Sequence, residues 1–295
     1  MRILLDGGNG QVGHELRRSL ASLGEVIVTT RTGELEDGAA LACDLMHPGA
    51  LAAVVRGTQP DVVINAAAYT AVDKAEDQPD AAFRVNAAAV EELAKECAFR
   101  GIPLIHYSTD YVFDGQGSRP YLPDDATSPL GAYGASKLAG EEAIRASGAR
   151  HLILRTAWVY GLHGHNFLKT MLRVGGERDE LRVVSDQIGS PTPAWLIADV
   201  TAAILRQGLG GGGTHHLVAA GQTSWHGFAE AIFAEAVAAG MLARRPVVHA
   251  IPTRDYPTPA RRPAWSVLDT TSLRQAYGVP LPDWREALHR TIAKG

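Results

Sequence analysis

Arg2-Ile3-Leu4-Leu5-Asp6-Gly7-Gly8-Asn9-Gly10-Gln11-Val12-Gly13 opens the chain and decides how the rest is read. An apolar run of strand length meets a turn with glycines at 7, 10 and 13. Val12, Leu16, Leu20 and Leu23 then recur at helical spacing. Strand, glycine turn and helix form the setting in which such glycines bind a dinucleotide. Gly7 allows the tight turn, and Gly10 lets a pyrophosphate approach the backbone beside Gln11 and Val12. Gly13 lets helix and strand pack closely, with phosphate charge at the helix N-terminus.

Working outward, apolar runs at 25–30, 61–65, 102–108 and 151–155 read as further strands. Helical patterns at 79–100 and 131–147 separate the later ones. Strands alternating with helices predict an α/β fold: a doubly wound parallel-sheet Rossmann domain whose ligands sit at the carboxyl ends of the strands. Gly7, Ala66, Thr109 and Thr156 fall at such ends. Beyond 157 the alternation loosens into polar loops at 161–166 and 185–193 and a Pro- and Arg-rich segment at 251–266. Irregular polar segments of that kind build pockets. The expected division is 1–157 as the dinucleotide-binding domain, also receiving 193–220, and 158–295 mainly as a smaller α/β substrate-binding domain.

Composition narrows the function. A net charge of −4 over 295 residues leaves no polycationic surface for nucleic acid or anionic lipid. Two cysteines, Cys43 and Cys97, are too few for a disulfide framework and suit a reducing cytosol. No apolar run reaches the ~20 residues of a membrane span, and the N-terminus lacks a signal-peptide apolar region. A cytoplasmic protein without membrane or nucleic-acid partners is expected. The eleven histidines form no H-E-x-x-H or Cys/His cluster, so no catalytic metal is expected.

Residues at the strand ends suggest the cofactor. An acid after the second strand suits a free ribose 2′-hydroxyl, and an arginine suits a 2′-phosphate. The chain has Thr30-Arg31-Thr32, which favours NADPH, with NADH possible. Asp44, next to Leu45, suits two uses: accepting from an adenine amino group, or capping the turn before His47-Pro48. Ala66-Ala67-Ala68 would let a flat ring or ribose lie against backbone.

Tyr133 and Lys137 stand four apart on one helical face. A phenol ionises near pKa ~10, and a nearby cation is expected to lower that value toward the working pH. Carbonyl reduction by hydride needs such a proton donor and a second hydrogen bond to the oxygen, for which Thr109 on the preceding strand is placed.

These motifs together resemble the extended short-chain dehydrogenase/reductase family. Within it, Asn65 to Glu76, Tyr107 to Gly115, Arg155 to Tyr160 and Pro257 to Pro263 look like the dTDP-4-dehydrorhamnose reductases. The resemblance implies reduction of the 4-keto group of dTDP-6-deoxy-L-lyxo-4-hexulose to dTDP-L-rhamnose. It implies Tyr133 as proton donor, Thr109 as its hydrogen-bonding tuner and Lys137 as ribose anchor. Asp110 and Trp158 would line the sugar, with Asn166, Gln187 and Arg262 as further contacts to sugar or diphosphate. A guanidinium suits a diphosphate through paired hydrogen bonds. Some relatives bridge two subunits through a metal held by acids. Trp195 stands on the helix that carries one of them, although Glu15 is present, so a monomer or an unbridged homodimer is expected. The alternatives are a related dTDP-4-ketosugar reductase of dihydrostreptose type and a non-catalytic NADP-binding regulatory subunit.

Overall fold

The computed structural model describes residues 1–294. Its main sheet has seven strands in chain order: β1 (Arg2–Asp6), β2 (Glu25–Thr30), β3 (Leu41–Ala42), β4 (Val62–Asn65), β5 (Leu104–Thr109), β6 (His151–Thr156) and, after strands of other sheets, β8 (Gly213–His216). They lie in the order β8-β6-β5-β4-β1-β2-β3, with every pairing parallel. The chain winds from β1 outward to β3, then restarts at β4 on the other side of β1. Brought together there, the carboxyl ends of β1 and β4 make the crevice where open α/β sheets bind ligands.

The strand residues explain the layering. β4 and β5 are buried along their whole length, as parallel strands covered on both faces must be. Along β1 the side chains alternate faces. Ile3 and Leu5 pack with Leu16 and Leu20 of α1 (Gln11–Leu20), while Leu4 packs with Val55 of α2 (Ala50–Thr58) and Leu93 and Cys97 of α3 (Ala89–Arg100). α4 (Ala132–Ser147) follows β5, and its Ile144 lies in the same cluster as Leu4. The sheet's last strand comes from the distal half of the chain: β8 pairs with β6, Gly213 opposite Leu152.

The later segments build a second, smaller sheet of two parallel strands, β7 (Glu180–Val184) and β9 (Val247–Ile251). α5 (Phe167–Glu177) and α7 (Trp225–Ala238) accompany it. Between them α6 (Ala194–Gln207) turns back to α1, where Asp199 accepts from Ser19 Oγ at 2.6 Å and Arg18 Nη2 at 2.8 Å. α8 (Trp284–Ile292) closes the chain. Among the described residues no helix is long and apolar enough to cross a membrane.

Two elements differ from the sequence reading. Residues 79–100 are not one continuous helix: Pro79–Phe83 is followed by a π-helical turn, Arg84–Ala88, before α3 begins. The turn seats Gly140 of α4 against the Asn86 backbone, where a Cβ would collide with the Asn86 carbonyl. It also buries the Asn86 side chain, which donates to Tyr69 O and Ser136 Oγ at 3.0 Å each and accepts from Tyr69 N at 2.8 Å. A π-bulge of this kind inserts one residue to aim a side chain. The second difference is β3, two residues added to the sheet edge where no strand is evident from periodicity.

Candidate active site

A cleft of about 920 Å³ opens across the carboxyl ends of β1, β4, β5 and β6. Gly7, Gly10, Gln11 and Val12 form one wall. Gly7 has φ +84°, and a Cβ there would lie 2.6 Å from the Ala67 nitrogen. At Gly13 a Cβ would strike the Gly7 carbonyl, so it stands behind the wall and holds it close to α1. No side chain caps α1, and no acid lies in its first turn. Its free N–H groups and positive dipole end therefore face the cleft with no acid of α1 itself beside them. That donor set fits a dinucleotide pyrophosphate.

Arg31 lines the same cleft just past β2 and has no acidic neighbour in the 30–32 segment, which fits a 2′-phosphate. Leu45 and the backbone of Ala66, Ala67 and Ala68 line it as well. Asp44 faces it too, but its Oδ1 already accepts from Met46 N at 2.9 Å, which is the turn-capping use.

At the other end Thr109, Asp110, Tyr133, Lys137 and Trp158 share the cleft. Thr109 closes β5, accepts from Tyr111 N at 3.2 Å and donates to Asp110 Oδ1 at 2.9 Å. Glu76 Oε1 accepts from Ala132 N at 2.8 Å and so caps the start of α4, one residue before Tyr133. Lys137 is buried, and its Nζ donates to the Tyr107 carbonyl at 2.7 Å. Asp110 is 2 % exposed with no hydrogen-bond partner on Oδ2. Burial lifts its pKa to about 6 against the opposing Thr109 hydrogen bond.

The expected lowering of the Tyr133 pKa does not occur. Desolvation raises it, the Thr109 hydroxyl pulls the other way, and Asp110 and Tyr111 add to the rise. Lys137 is not among the groups that shift it, and its ammonium donates to the Tyr107 carbonyl. The consequence favours reduction: Tyr133 is a protonated phenol at neutral pH, poised to give a proton.

Three expected sugar contacts do not line the cleft, although the buried Nη1 of Arg262 has no hydrogen-bond partner. Asn166 caps α5, accepting from Lys169 N at 3.1 Å, and its Nδ2 donates to Gln11 Oε1 at 2.9 Å and Gly161 O at 2.8 Å. Gln187 donates to Thr253 Oγ1 and accepts from Trp225 Nε1, both at 3.1 Å. Arg262 pairs with Asp73 through Nη2 at 2.7 Å.

Other residues emerged only from the structure. Trp225 stacks on Trp158 with centroids 3.6 Å apart and 6° between planes. That stack, locked by Gln187, holds Trp158 at φ +48°, a left-handed conformation that a bulky residue rarely adopts. Asn65, His106 and Asn86 are buried polar side chains beneath the cleft, and nothing in their spacing marks them.

The family model described as RmlD substrate binding domain matches residues 1–295. The dTDP-4-dehydrorhamnose reductase of Escherichia coli K12 is 48% identical over 295 residues, 99% of this chain and 97% of that one. The same-named protein of Burkholderia thailandensis is 50% identical over 298 residues, 98% of this chain and 97% of its own. The crystal structure of dTDP-4-dehydrorhamnose reductase from Bacillus anthracis in complex with NADP superimposes with a TM-score of 0.90 at 32% identity, covering 100% of this chain and 99% of that chain. With its glycine turn, its Tyr-x-x-x-Lys helix and likeness running end to end, the chain belongs to the dTDP-4-dehydrorhamnose reductase family.

Proposed function

We propose that this chain reduces the 4-keto group of dTDP-4-dehydro-L-rhamnose to give dTDP-L-rhamnose, using NADPH. The observation that carries the reading is that Thr109, Tyr133 and Lys137 share one cleft with an uncapped, glycine-lined helix N-terminus. NADPH, when bound, supplies the hydride. Gly7, Gly10, Gln11 and Val12 hold its pyrophosphate, Arg31 its 2′-phosphate and Lys137 its ribose.

Tyr133, kept protonated by desolvation, donates to the C4 oxygen. The Thr109 hydroxyl orients that phenol and the same oxygen. Asp110 offers its free Oδ2 to a sugar hydroxyl, and the Trp158 face covers the apolar side of the ring. In this reading 1–157 with 193–220 is the cofactor unit and 158–295 otherwise the sugar-nucleotide unit. The two free, buried cysteines support a cytoplasmic enzyme, which we read as a monomer or homodimer.

The deciding experiment incubates the protein with the 4-keto-L-sugar nucleotide and NADPH and determines the product's configuration at C4. The rhamno product with matching NADPH consumption is expected. Consumption without that product would point to a related ketosugar reductase, and neither would sink the reading. Arg31→Ala is expected to raise the KM for NADPH by about tenfold, the loss of one charge-assisted contact, and leave that for NADH nearly unchanged. Steady-state kinetics with both cofactors checks this.

A further inference from the structure

Beneath Lys137, β5 carries His106, which is wholly buried between two polar side chains. The donors around it determine its protonation. The Ala67 N–H can only donate, and it meets Asn65 Oδ1 at 3.1 Å. The amide nitrogen of Asn65 is therefore the atom turned to His106, 3.2 Å from Nδ1. An amide nitrogen only donates, so Nδ1 must accept. A neutral imidazole that accepts at Nδ1 carries its proton on Nε2. That nitrogen lies 3.3 Å from Lys137 Nζ. An ammonium carries three N–H donors and no lone pair, so it cannot receive the Nε2 proton. A neutral amine has a lone pair for it.

We infer that His106, locked as its Nε2–H tautomer by Asn65, is a positioning residue that makes Lys137 a group able to release its proton inside the cleft. The inference rests on the reductase reading of Lys137. An imidazolium would fit worse, since burial and then Lys137 hold His106 well below the ordinary histidine range. Burial also brings Lys137 down to about 8, against the opposing charge of Glu141 one turn along α4. Glu141 is itself engaged by Arg155 and Arg145, with shortest contacts of 2.7 and 3.1 Å. Tyr107 offers Lys137 only its carbonyl, because its hydroxyl bonds Thr201 at 2.8 Å. The other charged or titratable side chains lining the cleft with it include Asp6, Arg31, Asp44, Asp110, Tyr133 and His165.

The consequence is a proton supply. Tyr133 gives its O–H proton to the substrate oxygen and becomes a phenolate. With Nζ turned to the Tyr107 carbonyl, Lys137 returns an N–H proton to that phenolate through a bridging water or hydroxyl, which passes one proton on as it takes one up. Lys137 then becomes the neutral amine, whose lone pair takes up the His106 Nε2–H bond. A solvent proton restores the ammonium. His106 thus stabilises the state of Lys137 that exists between turnovers.

The test reads protonation directly, by ¹⁵N NMR on protein labelled at histidine and lysine, with His106→Gln and Lys137→Met assigning the signals. The His106 ring is expected to hold its proton on Nε2 throughout about pH 5 to 9. Lys137 is expected to titrate near 8, moving up by about one unit in His106→Leu and by less in His106→Gln, whose amide N–H replaces the ring donor. The basic limb of kcat/KM should move with it. An Nδ1–H tautomer, a His106 midpoint inside that pH range, or a Lys137 midpoint near the ordinary lysine value overturns the inference. The tautomer decides on wild-type protein alone if His106→Leu does not fold. A wild type without turnover would count against the reductase reading, and the two midpoints would still decide this one.

Discussion

Tyr133→Phe is expected to lower kcat by about 10²–10⁴-fold while NADPH affinity stays within roughly twofold. The substitution removes one oxygen and keeps the ring that packs edge-on against Tyr111, centroids 5.5 Å apart. α4 keeps its Glu76 cap, and Lys137 keeps its bond to the Tyr107 carbonyl. Binding and folding are thus separated from proton donation. Because desolvation holds the wild-type phenol protonated through neutral pH, the loss should be nearly constant between about pH 6 and pH 8. Stopped-flow oxidation of NADPH beside fluorescence titration of its binding separates the two effects. Turnover within tenfold of wild type would remove Tyr133 from the acid role.

The framework of this site was legible because it depends on patterns that local sequence records. Continuous apolar runs mark strands covered on both faces, and β1, β2, β4, β5 and β6 fall where those runs lie. The glycine turn was legible for the same reason, since Gly7 and Gly13 are demanded by backbone proximity that no other residue permits. What the chain does not record is where a polar side chain finds its partner. Asn166 and Gln187 resemble sugar ligands in one dimension, yet in the fold they cap α5 and brace Trp225. The π turn at Arg84–Ala88 depends on Gly140, more than fifty residues away, so no local period signals it. The sign of the Tyr133 shift is not legible in the sequence because spacing gives the separation from Lys137 but not the depth of burial, and burial is the larger effect.

Arg155→Met is expected to cost about 3 kcal/mol of stability, the penalty for depriving a buried charge of its main partner and leaving it only the longer contact to Arg145. Glu141 on α4 is completely buried, and Arg155 on β6 grips it with Nε at 2.9 Å and Nη2 at 2.7 Å. A third donor, Arg155 Nη1, holds the Pro123 carbonyl at 2.9 Å, and the guanidinium lies over the Phe113 ring at 5.1 Å. Methionine fills much of the space and supplies none of these bonds. In the wild type, burial alone would raise the Glu141 pKa, but Arg155, with smaller help from Ser108 and Arg145, overcomes it and holds the carboxyl below its ordinary value. A depressed carboxylate stabilises the fold above the unfolded pKa, and that contribution is lost as pH falls through the folded value. Without Arg155 only Ser108 and Arg145 oppose the burial effect, so the folded pKa rises and the stabilising contribution of the carboxylate shrinks. The deficit of Arg155→Met against wild type should therefore grow as pH rises from about 4 to about 7. At neutral pH the melting temperature should fall by on the order of 10 °C. Pairing Arg155→Met with Glu141→Leu removes the stranded charge and should recover part of the loss, since apolar replacements of a buried pair are often well tolerated. Denaturant unfolding of the two variants across that pH range is the measurement. A deficit that is flat with pH and unrelieved by the second substitution would show that Arg155 acts by filling space, with its charge of little account.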